Sequence, residues 1–146
     1  MASEFLPIVF IEDNPGDADA LQRAFAQTRV PNELVIIGDG ENGRGYFQTV
    51  LAGTKALPAL TLIDLNIPKV SGLELIRWIR EQPLLKGMPI VSLSHTYNYD
   101  DLEKGYDFGA NLYLLKPQEI RQWADMVFRL QGYWSTQAES YGMGKR

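Results

Sequence analysis

Glu12 and Asp13 follow the apolar run "PIVFI", Asp64 closes "ALTLID", Ser94 closes "PIVSLS", and Lys116, followed by Pro117, comes directly after "NLYLL". Each of these polar side chains therefore stands at the mouth of a short apolar segment of the kind that forms a strand buried on both faces. Three carboxylates gathered at one rim repel and raise one another's pKa, so keeping them ionised requires a counter-charge. A hard divalent cation meets that need. Mg2+ takes one or two carboxylates, a carbonyl and retained waters, and commonly works beside phosphate. A carboxylate in such a place has a second use, as a nucleophile that captures a phosphoryl group while a metal and a cation neutralise the incoming oxygens. Asp64 is the candidate for both roles, Lys116 for the cation, and the Ser94 hydroxyl for a donor to a phosphoryl oxygen.

Positioning these groups at one edge requires strands that all point the same way. The strand candidates are residues 7–11, 33–38, 59–64, 89–94 and 111–115. Helical spacing covers residues 16–28, 41–54, 71–82, 99–108 and 118–133. Strict alternation of the two makes a parallel sheet covered on both faces, since parallel strands need crossover connections and right-handed crossovers put helices there. Ligands then bind outside the carboxyl ends of the strands, where the five polar residues fall. In the third helical segment Leu73, Ile76, Trp78 and Ile79 form the apolar side, and Glu74, Arg77 and Arg80 the polar one.

Composition narrows the classes. A chain of 146 residues allows one domain, and 45% hydrophobic with 22% charged residues excludes disordered and fibrous types. A net charge of -4 with no dense Lys/Arg patch argues against a nucleic-acid partner. The lack of cysteine removes disulfides, thiolate metal sites and a thiol nucleophile. "MASEFLPIVF" has no basic start, and no apolar run reaches membrane-spanning length, so a cytoplasmic protein with no membrane contact is expected. The organisation expected is one domain over residues 1–133 and a polar, Gly-containing tail over 134–146, which reads as loose.

The acidic pair Glu12 and Asp13, "DLNIPKVSGLEL" around Asp64, the hydroxyl of Ser94 and "LKP" at Lys116 together resemble the receiver domains of two-component response regulators, over residues 7 to about 131. The resemblance implies a doubly wound α/β fold with five parallel strands in the order 2-1-3-4-5. It implies that Asp64 accepts phosphate from the phosphohistidine of a sensor kinase. Glu12 and Asp13 hold Mg2+ directly or through water, and the Asn66 backbone carbonyl completes the coordination. On activation Ser94 follows the phosphoryl group, and Tyr113 fills the aromatic switch position. The ending "RLQGYWSTQA" is similar to that of single-domain regulators associated with bacterial phytochromes, which implies a bacteriophytochrome kinase and a homodimer near this end.

Plainer readings exist for each residue. "EDNPGD" also suits a helix start, with Asn14 as the cap and Pro15 in the first position. Serines often end strands, and a lysine before proline is often a solvated loop residue. His95 is the sole histidine. It reads as a surface residue, and because the family mostly has a small side chain there, its ring is expected to narrow access to Asp64 and alter hydrolysis of the acyl phosphate. Without a second histidine or a glycine loop for ATP, phosphate must come from outside, so any enzymatic activity is limited to self-phosphorylation from small donors and self-dephosphorylation. The last helix carries Ile120, Trp123, Ala124, Val127, Leu130 and Trp134, with Phe128 and Tyr133 alongside, more aromatic surface than one helix hides on a sheet. Part of that stripe, with the fourth helix, is the expected dimer face. With no output domain read in the sequence, the output is a protein contact. The reading from another class is a phosphorylation-independent interaction adaptor on the same scaffold. A metal-dependent phosphatase lacks its second aspartate, since Asn66 stands two residues after Asp64.

Overall fold

The computed structural model describes residues 5–141, with side chains through residue 135. Strands and helices alternate as β1 (Ile8–Ile11), α1 (Pro15–Gln27), β2 (Leu34–Ile37), α2 (Gly40–Leu51), β3 (Leu60–Asp64), α3 (Gly72–Arg80), β4 (Ile90–Ser94), α4 (Tyr99–Phe108), β5 (Leu112–Leu115) and α5 (Ile120–Tyr141). All strand pairings are parallel, and the order across the sheet is β2-β1-β3-β4-β5, the order expected.

Side chains alternate across the sheet, and each face has its own core. Ile8, Phe10, Leu60, Leu62, Val91 and Leu93 pack with Leu21, Phe25, Trp123 and Val127 of α1 and α5. On the other face Val9, Ile11 and Ile63 meet Phe47, Leu75, Ile76 and Ile79 of α2 and α3. β1 and β3 are fully buried along their length, which is why their sequences are continuous apolar runs. Helix starts follow the sequence. Asn14 caps α1 by accepting from Asp17 N, with Pro15 at the first position, and Ser71 with Glu74 forms a reciprocal capping box on α3.

The structure departs from the sequence reading at three places. The last helix does not stop at residue 133: it continues to Tyr141 through the first part of the expected tail, and Trp134, read on this helix's apolar stripe, is buried and stacked on Phe25 with ring centroids 6.1 Å apart. Residues 142–146 of that tail lie outside the described residues. In α3 the buried face is Leu75, Ile76 and Ile79, with Leu73 and Trp78 only partly covered. Arg80, read as part of a polar side, instead clamps loops: its guanidinium donates to the carbonyls of Gly109 and Leu85, both at 2.8 Å, and to Asn111 Oδ1 at 2.9 Å. Among the described residues no helix is long and apolar enough to cross a membrane.

Candidate functional site

Because β1, β3, β4 and β5 run parallel, their carboxyl ends deliver Glu12, Asp13, Asp64, Ser94 and Lys116 to one rim. Glu12, Asp64, Ser94 and Lys116 are buried, and Asp13 is exposed. Each of Glu12, Asp13 and Asp64 offers a carboxylate oxygen within 4.8 Å of the others. The Lys116 ammonium reaches into this group. It donates to Asp64 Oδ2 at 2.8 Å and to Asp17 Oδ2 at 2.8 Å, and it lies 2.6 Å from Glu12 Oε1 as an ion pair. Asp64 Oδ1 accepts from the Asn66 amide at 2.9 Å, and Glu12 Oε2 accepts from the Asn14 amide at 3.1 Å. Both carboxylates are therefore oriented by the loops that follow their strands.

The loop after β3 is held close beneath the acceptor. Gly72 N donates to Leu65 O, and a Cβ on Gly72 would stand 2.6 Å from Asp64 O. Only glycine allows that approach.

Electrostatics follow from this packing. Burial, then a hydrogen bond with Asp64, push the Glu12 carboxyl up to about 8 despite the nearby ammonium. Burial works against ionisation of Asp64 too, but hydrogen bonds from Glu12, Lys116 and the Asn66 amide outweigh it and hold Asp64 below the ordinary carboxylate value. Lys116 is desolvated, yet its hydrogen bonds to Asp17, Asp64 and Glu12 raise its pKa above the ordinary lysine value. The site thus shares protons unevenly: Asp64 is the anion, and Glu12 is the group whose charge costs most.

Glu12 Oε1 is buried and faces the Lys116 ammonium at 2.6 Å. Three carboxylates within 4.8 Å of one another, with no thiolate or imidazole among them, are a donor set for a hard, oxygen-loving cation. The residues present fit a divalent metal.

Ser94 Oγ donates to Thr96 O at 2.8 Å. Tyr113 is half-buried; its hydroxyl donates to the same carbonyl at 3.3 Å and accepts from Asn98 N at 3.2 Å, while its ring meets Tyr97 edge-on at 6.3 Å. His95 has a 59% exposed side chain, as a surface residue should, and its Nε2 stands 3.3 Å from Asp17 Oδ2. The structure thus brings together Glu12, Asp13, Asp64 and Lys116, places Ser94 at the end of β4 and Tyr113 in β5 with both hydroxyls on the Thr96 carbonyl of the loop after β4, and gives Asn66 a contact through its amide. Asp17 was not singled out by the sequence reading. It is the third residue of α1, in a first turn where an acidic side chain also suits the helix dipole, so type and place alone did not mark it.

Comparison with known proteins agrees with this geometry. The family model described as "Response regulator receiver domain" matches residues 8–128. Response regulator Rcp1 of Synechocystis is 30% identical over 128 residues, spanning 87% of each chain. The crystal structure of the phosphorylated cyanobacterial phytochrome response regulator RcpA superposes with a TM-score of 0.82 at 33% identity, covering 92% of this chain and 96% of that one. The crystal structure of the Mn2+-bound form of Rcp1 gives 0.78 at 30% identity, covering 88% and 94%.

Proposed function

Because the chain belongs to the response regulator receiver domain family, a receiver of two-component signalling, we propose that Asp64 is its phosphoacceptor and that phosphorylation there switches a protein-binding surface. One observation carries the reading: an ionised, buried Asp64 has one oxygen fixed by the Asn66 amide and the other 2.8 Å from the Lys116 ammonium, beside Glu12 and Asp13.

A sensor kinase presents phosphohistidine at the rim. An Asp64 carboxylate oxygen attacks phosphorus, the P–N bond breaks, and the departing imidazole takes a proton from solvent, leaving an acyl phosphate. Lys116 donates to a phosphoryl oxygen as charge shifts onto it. Mg2+, when bound, supplies the second positive charge there. Glu12 and Asp13 would hold it directly or through water, with Asp64 and the Asn66 carbonyl completing the set; likeness to Rcp1, solved in a Mn2+-bound form, supports a divalent ion. Hydrolysis by water attack on phosphorus returns Asp64 to its carboxylate. The Ser94 hydroxyl leaves Thr96 O for the phosphoryl group, and the Tyr113 side of the loop answers, shifting an existing equilibrium between two surfaces.

The kinase is read as a bacteriophytochrome, supported by likeness to the phytochrome response regulator RcpA, and the setting as the cytoplasm. The output surface is read as a homodimer face through α4 and α5, with the edge strand β5 between them. Phe128 is 72% exposed there, Ile120 and Leu115 are exposed, and a groove of about 490 Å³ runs between Leu115, Met126 and Arg129. The test is incubation with Mg2+ and phosphoramidate followed by intact mass measurement: wild type gains one phosphoryl group and Asp64→Asn gains none. An adduct that survives Asp64→Asn, or no adduct in wild type, favours the adaptor.

A further inference from the structure

Asp17 belongs to none of the roles assigned above, yet it touches two of the loops that frame the rim. Its place is fixed by local structure: it sits in the first turn of α1, and its backbone N–H is bound at 3.1 Å by the Asn14 cap. One oxygen, Oδ2, serves two partners, the Lys116 ammonium at 2.8 Å and His95 Nε2 at 3.3 Å. Exposure rises along this line, from the buried Lys116 side chain at 1%, through Asp17 at 17%, to His95 at 59%. Through that one atom α1 is tied to the β5–α5 loop and to the β4–α4 loop, across the mouth of the site.

The three acceptors of Lys116 are not equivalent. Glu12 and Asp64 belong to the acidic cluster that fits a divalent ion, and Asp17 does not. A cation bound in that cluster draws on the oxygens of Glu12 and Asp64 and weakens their hold on the ammonium. Asp17 is the acceptor left to it, through a charge-assisted hydrogen bond, the stronger kind. Resting on the phosphoacceptor reading, we propose that Asp17 is a positioning residue: it keeps the Lys116 ammonium aimed into the pocket when metal and phosphoryl group compete for its other partners, and it couples the state of that pocket to His95 at the surface.

Asp17→Asn keeps the shape and removes the charge, and Asp17→Glu restores the charge. The expected result for Asp17→Asn is an unchanged thermal melt, an Mg2+ dissociation constant by calorimetry within about twofold of wild type, and phosphorylation by phosphoramidate slowed about tenfold, with partial recovery in Asp17→Glu. The lone histidine gives an independent signal. Its imidazole resonances shift when Mg2+ and beryllofluoride are added to wild type and stay in place in Asp17→Asn. A wild-type rate in Asp17→Asn overturns the proposal, as does a rate loss that matches a loss of Mg2+ affinity or a lower melt. If wild type itself takes no phosphoryl group, the phosphoacceptor reading fails first and this inference falls with it.

Discussion

Ser94 and Tyr113 place their hydroxyls on one acceptor, the backbone carbonyl of Thr96, at 2.8 and 3.3 Å. A swing of Ser94 Oγ toward a phosphoryl oxygen leaves that carbonyl to Tyr113, which also accepts from Asn98 N at 3.2 Å. The loop between β4 and α4 is thus held from both sides, and release of one side loads the other. Tyr113→Phe removes only the hydroxyl. The loss of one hydrogen bond, about 1 kcal/mol, should speed amide exchange at Asn98 about fivefold. It should also abolish the shift of the Asn98 amide that beryllofluoride produces in wild type. An Asn98 amide that responds alike in both proteins removes Tyr113 from the switch.

Metal affinity should depend on pH through Glu12. Its carboxyl, at about 8 in the fold, is protonated at neutrality, and a metal ligand must be deprotonated. Apparent Mg2+ affinity should rise about tenfold per pH unit up to about 8 and then level off. The folded pKa of Glu12 lies above the ordinary 4.5 of a free glutamate, so its contribution to stability is full below 4.5 and is lost as pH rises through about 8. Asp64 acts in the opposite sense: its pKa lies below 3.8, so its contribution is present above 3.8 and is lost as pH falls through the folded value. Melts without metal should therefore fall from mildly acidic to alkaline pH, added Mg2+ should recover most at the alkaline end, and Glu12→Gln should flatten both curves. Equal Mg2+ affinity at acidic and alkaline pH excludes Glu12 as the titrating ligand.

Lys116 is the sole cation shown in contact with Glu12 and Asp64 among the described residues. Lys116→Ala leaves the buried acidic groups without their cation, a change that costs about 3 kcal/mol when a buried pair is broken on one side. The loss should appear in denaturant melts without metal and shrink when Mg2+ is added, because the ion supplies the missing charge. Phosphorylation should fall about a hundredfold with Mg2+ saturating, as expected when a fixed charge on the transferring group is removed. A melt insensitive to Mg2+ in this variant places the ion somewhere other than beside Glu12.

The strands and the rim were legible because burial on both faces leaves unbroken apolar runs, in which Glu12, Asp64 and Lys116 are conspicuous. Asp17 was not, because its partner Lys116 lies ninety-nine residues away and only the folded sheet brings the two together. The last helix was ended at residue 133 because the composition turns polar just after Trp134; the helical spacing did put Trp134 on the apolar stripe, but its stacking on Phe25 of α1 is a tertiary contact that the local sequence does not show. Arg80 looked like solvated surface for the same reason: its acceptors at Leu85, Gly109 and Asn111 belong to other elements.

His95 stands immediately after Ser94, with Nε2 3.3 Å from Asp17 Oδ2, the oxygen that also holds Lys116 beside Asp64. We predict that its ring narrows the path by which water reaches an acyl phosphate on Asp64. His95→Ala should shorten the lifetime of the phosphorylated protein by about threefold, about 0.6 kcal/mol of barrier, as followed by intact mass over time. An unchanged lifetime removes the ring from the water path.

Gly72 and Gly45 are both helical glycines, yet alanine should act on them in opposite directions. At Gly72 a Cβ would meet Asp64 O and Leu65 Cα, each at 2.6 Å, and backbone atoms cannot rotate aside. The end of β3 must shift, and with it the acceptor carboxylate that Lys116 and the Asn66 amide hold in place. Gly72→Ala should cost about 2 kcal/mol, as overpacking does, and slow phosphorylation more than about tenfold. At Gly45, inside α2, a Cβ meets nothing within 4 Å. There alanine should stabilise by about 0.5–1 kcal/mol through helix propensity alone and leave phosphorylation unchanged. If the two variants melt alike and phosphorylate alike, the close approach of Gly72 to the acceptor strand does not govern the site.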